Sequence, residues 1–239
     1  MDFQGSVFLE ALGSKALIQG VQLTIALTAV SFVLGLLVGL LVAVLRDSRL
    51  RLLRGVAWAY IWIFRGIPTL IQLFIWWEAL PQLVPAFKEQ WFSPFLASAI
   101  ALSLNEAAYA AEIMRGGLLS VDDGQRLAAR ALGMRPFKVF SKVVAPQLIR
   151  VAIPPMANDF ITLLKITSLA YVTSLRELMT NTQTAVASSF RFAEWYGAAA
   201  VYYLVLVSIF MLGQAWLERR YVWTSQARGP RSILRAIGR

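Results

Sequence analysis

Of the 239 residues, 58% are hydrophobic and only 15% are charged, more apolar surface than a soluble domain of this size buries. The net charge of +10 would fit a nucleic-acid binder if the basic residues formed one soluble patch, but they fall between long apolar runs. With no cysteine and no histidine, disulfides, thiol chemistry and the usual zinc, haem and iron–sulfur ligand sets are excluded together.

Residues 1–16 form a short leading segment whose Phe3, Val7, Phe8 and Leu12 can lie along a membrane surface. The first apolar run, 21–45, has the length of a bilayer span, for which about 20 helical residues suffice. Asp2, Glu10 and Lys15 precede it, with no basic n-region or small-residue cleavage site, so it reads as a retained span rather than a secretory signal. A second run, 55–80, contains Arg65 beside Gly66 and Pro68, where the helix is expected to break. Pro81, Pro85 and Pro94 then bracket LPQLVPAFKEQWFSP, a compact outer loop. Residues 93–111 form the third span, and 151–174, with Asp159 and Lys165, the fourth. The stretch 176–194, with MTNTQTAVASSF, is too polar for lipid and is expected to be an outer loop or half-helix. Residues 195–217 complete five spans.

The basic residues set the orientation. Four follow span one, seven lie between spans three and four and six follow span five, so that 17 of the 23 share one side, against Lys15, Lys88, Arg176 and Arg191 on the other. The positive-inside rule puts the N-terminus outside and the C-terminus in the cytoplasm. Trp76, Trp77, Trp91 and Trp195 mark outer ends of spans, and Trp58, Trp216 and Trp223 inner ones, in agreement.

Between spans three and four the cytoplasmic stretch 120–146 carries a short helix over 122–132. Asp122 and Asp123 sit at its start, Arg130 and Arg135 near its end and Gly133 just past the last turn, an order that complements the helix dipole and suits a left-handed terminus. Ala128, Ala129 and Ala131 keep its surface slim. On composition alone, such a helix packs on a membrane surface as readily as on a partner.

The order of residues adds a resemblance. GQRLAARALG at 124–133 followed by VVAP at 143–146 resembles the EAA loop in permease subunits of ATP-binding cassette importers. AAYAAEIMRGG at 107–117, IPPMANDFITLLKITSL at 153–169 and FRGIPTLIQL at 64–73 extend the likeness, which is to the polar amino acid uptake subfamily and covers most of residues 17–220. The resemblance implies one all-α integral membrane permease domain over 1–239, with its core at about 17–220 and a basic cytoplasmic tail at 221–239. It further implies a bacterial inner-membrane location and a coupling helix in which Gly124, Leu127, Ala128, Ala129, Leu132, Gly133 and Pro146 face an ATPase subunit. Two departures stand out: Leu127 replaces the acidic residue that gives the loop its name, and Ala145 replaces the leucine before the closing proline. The implied partners are ATPase subunits that bind ATP and Mg, a second permease chain, identical or sister, and an extracytoplasmic binding protein. This chain itself takes no cofactor and no nucleic acid.

A charge at the bilayer centre costs roughly 2.5–3.5 kcal/mol on insertion scales, so charges within spans need reasons. Glu112 is expected to pair with Arg115 three residues on, and Glu106 to pair with Arg65 or Lys165. Lys165 counts to mid-span, followed by the hydroxyls of Thr167 and Ser168, and shares a helix face with Asn158 and Thr162. Asp159 is expected to face the same cavity, so that Lys165 and Asp159 offer a cation and an anion to an amino acid's carboxylate and ammonium. Arg65, at the break in span two, is the other candidate, and two intramembrane cations favour glutamate, aspartate or glutamine as substrate.

No G-x-x-x-x-G-K-[ST] is present, so this chain cannot bind ATP by that route. The competing reading is a self-sufficient channel or ion-coupled carrier, for which pore-lining or inverted repeats would be the sign, and neither is seen. A membrane enzyme would need a catalytic group, and neither G-x-S-x-G nor H-E-x-x-H occurs.

Overall fold

In the computed structural model, which describes residues 3–221, every regular element is helical. The order is α1 (Gly5–Leu12), α2 (Lys15–Arg46), α3 (Arg51–Gly66), α4 (Thr69–Phe74), α5 (Leu80–Leu83), α6 (Pro94–Leu119), α7 (Asp123–Ala131), α8 (Pro136–Val139), α9 (Ala145–Ile166), α10 (Leu178–Ser189) and α11 (Phe192–Tyr221). Wider π-type turns at Ile75–Ala79 and Phe140–Val144 join α4 to α5 and α8 to α9, and tight 3-10 turns run over Pro85–Lys88 and Thr167–Thr173. The tail beyond Tyr221, with Trp223, lies outside the described residues.

By length and composition, two helices can cross a membrane, Lys15–Arg46 and Phe192–Arg219, and a third crossing follows if α3 and the segment Thr69–Leu83, bent by 102° at their junction, are one broken span. Helices α6 and α9 are long, 26 and 22 residues, but more polar, because they turn Ser98, Ser103, Asn105 and Glu106 or Asp159 toward other helices rather than toward lipid.

Lipid tails are as apolar as leucine, so helices in a bilayer associate through close van der Waals packing, which favours small residues. The most extensive packing, α2 against α6, has that form. A Cβ on Gly39 would sit 2.8 Å from the Ala110 Cβ and 2.9 Å from the Ala107 carbonyl oxygen; one on Gly35 would sit 2.5 Å from the Glu106 Cγ. Gly35 and Gly39 are spaced as G-x-x-x-G, and α6 answers with Ala107, Ala110 and Ala111. Around this seam lie Val42, Ala43, Ala57, Ile61 and Ala111 at one end, and Leu27, Leu73, Leu102, Leu163 and Leu175 further along.

Helix α1 does not simply rest on a surface. Its Phe8, Ala11 and Leu12 pack with Leu17, Leu178 and Ala198, and the Gln4 amide donates to Glu194 Oε1 at 2.9 Å, while Phe3 and Leu9 remain exposed. The polar stretch after Arg176 is a half-helix, α10, capped by the buried Glu177, whose carboxylate accepts from the Met179 amide at 2.8 Å and the Thr180 amide at 2.7 Å. Asn181 Nδ2 ties it to the Ala16 carbonyl at 2.7 Å.

Candidate functional site

The break in the second apolar run falls where Pro68 removes a donor: α3 ends at Gly66 and α4 starts at Thr69. The carbonyls freed there are not left open. Gln72 Nε2 donates to the Phe64 carbonyl at 2.9 Å and the Ile67 carbonyl at 2.8 Å, and Asn105 Nδ2 donates to Phe64 at 3.0 Å. The cleft beside them, about 260 Å³, is walled by Ile63, Phe64, Ile67, Ile75, Trp76 and Leu80, with Gln72 as the polar member. Neither Gln72 nor Asn105 is among the residues expected from the sequence; an amide one turn beyond a Gly-x-Pro break, as Gln72 is, is a legible sign of a carbonyl that needs a donor, while Asn105 comes from α6.

The interior charges are arranged differently from the expectation. Glu106, only 4% exposed, pairs with neither Arg65 nor Lys165; its carboxyl lies beside that of Asp159 on α9, and Gly35 on α2 leaves room for it. Glu106 Oε1 and Asp159 Oδ2 are buried with no hydrogen-bond partner. Asp159 also feels the field of Arg65. Within this chain the Lys165 ammonium is not buried. It occupies the last turn of α9 and is exposed, as is Asn158 on the same face, and Thr162 is half-buried with its hydroxyl donating to the Asn158 carbonyl at 3.0 Å. Six residues at 100° leave Asp159 about 120° from Lys165, so the two diverge: one turns inward, the other outward. Thr167 is fully buried and donates to the Leu164 carbonyl at 2.7 Å, and Ser168 donates to the Lys165 carbonyl at 2.7 Å. These hydroxyls close the end of α9 as it tightens to the 3-10 turn.

Arg65 is exposed at the end of α3 and its guanidinium stacks 5.1 Å over the Tyr109 ring. It shares an open cleft with Arg46, Glu112 and Arg115, in which Arg115 holds Glu112 through Nη2 at 2.7 Å, the expected i, i+3 ion pair.

The short helix between α6 and α9 runs Asp123–Ala131, with Asp122 Oδ1 accepting from the Gly124 amide at 2.6 Å and Leu132 as the C-cap. Gly133 adopts φ +76°, its amide donates to Arg130 and the Met134 amide to Ala129, a paired closure that satisfies two orphan carbonyls. One face is tied down. Ala129 is buried, Arg126 Nη2 donates to the Leu118 carbonyl at the end of α6 at 2.7 Å, and Gln147 on α9 donates to Gln125 at 2.6 Å. The other face is bare: Gly124, Ala128, Gly133 and Pro146 are exposed, Leu127 is 64% and Leu132 83% exposed. An apolar knob on a helix whose opposite face is locked to the ends of two long helices can pass a push from outside to both of them.

The model of the family "Binding-protein-dependent transport system inner membrane component" matches residues 35–223. The chain is 37% identical to the probable amino-acid permease protein YxeN of Bacillus subtilis, covering 85% of this chain and 90% of that one. It is 39% identical to the octopine transport system permease protein OccM of Rhizobium radiobacter (86% and 88% covered), and 33% identical to the glutamine transport system permease protein GlnP of Escherichia coli (92% and 98%). Among solved structures, it is similar to a chain of an amino acid ABC transporter crystallised with histidines: TM-score 0.83, 31% identity, 92% of this chain and 100% of that chain covered.

Proposed function

This chain belongs to the family of binding-protein-dependent transport system inner membrane components, as a permease subunit of an amino acid ABC importer, and from that premise we propose that it crosses the bacterial inner membrane five times, N-terminus outside and C-terminus cytoplasmic, as one permease domain with a basic tail. Two such chains, identical or sister, enclose the pathway. Two ATPase subunits carry the ATP and Mg, and a binding protein delivers substrate to the outer face.

The observation that carries this reading is the two-faced helix α7, fixed to α6 through Arg126 and to α9 through Gln147 while presenting Leu127 and Leu132 outward. Where relatives of this family place an acidic residue in the loop, Leu127 makes an apolar contact with the ATPase. Two conformations of the spans, biased by ATP closure, give alternating access. A carrier working alone would leave this face without a purpose.

For the substrate, the inward groups are Glu106 and Asp159, whose carboxyls lie side by side. Two carboxyls suit an α-ammonium and a cationic side chain, so a basic amino acid is the first reading. The printed names of relatives span octopine and glutamine, compatible with a shared frame and differing side-chain contacts. An acidic or amide substrate is the second reading, carried by Lys165 with Asn158, Thr162 and Ser168, should a second chain enclose that exposed face of α9.

Coexpression with the ATPase tests the docking. Gly133→Asp disturbs a φ +76° position at the end of α7 and is expected to abolish copurification while the protein still inserts; unchanged copurification would refute the docking role. Competition of uptake by arginine against glutamate and glutamine tests the substrate, and inhibition by the acidic or amide compounds alone would replace the first reading by the second.

A further inference from the structure

The open cleft of about 410 Å³ between α2, α3 and α6 has more positive charge than it uses: three guanidiniums, Arg46, Arg65 and Arg115, share one carboxylate, Glu112, which Arg115 already grips through Nε and Nη2. Among the described residues neither Arg46 nor Arg65 has a carboxylate within ion-pair distance, and Arg46 Nε is buried without a hydrogen-bond partner. An oxyanion held between the two guanidiniums through their accessible nitrogens would offset both spare charges. The α3 wall that carries Arg65 is otherwise apolar: the Trp58 and Trp62 rings stack 6.0 Å apart, nearly parallel, and are 52% and 64% exposed. Arg46 is in the last turn of α2, and Arg51 opens α3, so the cleft sits near the short connection between these helices, which the orientation proposed above places at the cytoplasmic surface.

We propose that this cleft binds a phosphate oxyanion, with the tryptophan wall favouring the diester headgroup of an anionic phospholipid over free phosphate. Tryptophans settle at headgroup depth with one side apolar, and basic pockets between spanning helices on the cytoplasmic side are a recurring fit for anionic lipid headgroups. The phosphate meets Arg46 and Arg65, and the acyl chains run along the exposed α3 face of Trp58 and Trp62. Only the leaflet, not the chemistry, rests on the orientation.

The test uses the complete transporter, permease with ATPase, in nanodiscs of equal phosphatidylglycerol and phosphatidylcholine. Native mass spectrometry of the released complex counts retained lipids. Both leaflets carry both lipids, so the outcome does not depend on orientation. The wild type is expected to retain phosphatidylglycerol over phosphatidylcholine, Arg46→Gln to cut that excess about fivefold and Arg46→Lys to keep most of it. In a second arm, delipidated transporter is titrated with inorganic phosphate: Arg46-dependent binding there, with no preference among lipids, supports the oxyanion site with free phosphate as its source. The wild type alone decides against the proposal if it neither prefers phosphatidylglycerol nor binds phosphate, and an unchanged preference in Arg46→Gln overturns it equally.

Discussion

Replacing Gly39 by alanine should drive α2 and α6 apart where the fold is tightest. The added Cβ would lie 2.8 Å from the Ala110 Cβ, 2.9 Å from the Ala107 carbonyl oxygen and 3.2 Å from the Ala111 amide nitrogen, so backbone rather than a flexible side chain has to give way. Ordinary contact requires the helices to separate by roughly half an ångström, an overpacking that costs about 1–3 kcal/mol. Alanine regains about 1 kcal/mol of helix propensity; because backbone has to move, the overpacking cost falls at the upper end of its range, leaving a net loss on the order of 2 kcal/mol, or roughly 4–8 °C in melting temperature for a chain of this length. Gly55, in α3, provides the control: nothing lies within 4 Å of its Cβ position, so Gly55→Ala keeps only the propensity gain and should rise by roughly 2–4 °C. Intrinsic tryptophan fluorescence of the purified transporter on heating reads both. If Gly39→Ala melts at or above the wild type, the close-approach argument fails, and with it the claim that this seam presses Gly35 against Glu106.

Three further substitutions probe other joints. Arg126→Met removes the donor to the Leu118 carbonyl, about 1–3 kcal/mol at the joint of α7 and α6; the ATPase should still copurify, but stimulation of its activity by loaded binding protein should fall, and full stimulation would show that this joint does not transmit. Gln72→Leu orphans the carbonyls of Phe64 and Ile67 at the break and should destabilise by roughly 1–3 kcal/mol in a thermal melt; an unchanged melt would mean that water satisfies them. Phe190 holds φ +56°, a left-handed conformation that costs a bulky residue roughly 1–2 kcal/mol, so Phe190→Gly should raise the melting temperature, and a fall would assign its exposed ring a packing role instead.

What the sequence made legible depended on how local the cause was. The bounds of α7 lie within one residue of expectation, because its cap at Asp122 and its closure at Gly133 are set by residues that directly flank the helix. The break before Pro68 and the half-helix after Glu177 are local in the same sense. The interior was harder. The α-helical part of α9 ends at Ile166 and tightens to a 3-10 turn from Thr167, which leaves Lys165 in its last turn and exposed, a boundary that no proline or glycine announces. The partner of Glu106 turned out to be Asp159, a contact between α6 and α9 across more than fifty residues that no periodicity announces. Asn105 is illegible for the same reason, since it reaches the Phe64 carbonyl from another helix, whereas Gln72, one turn past the expected break, is a local donor. The Gly35–Gly39 spacing, by contrast, is a local G-x-x-x-G signal of close helix approach.

The most direct test of the central claim is uptake of radiolabelled amino acid into proteoliposomes containing this permease, with or without its ATPase, and with ATP supplied on the side of the ATPase. Accumulation that requires the ATPase, ATP and binding protein together is the predicted result. Accumulation by the permease alone, driven by an ion gradient, would contradict the account and make the chain a self-sufficient carrier.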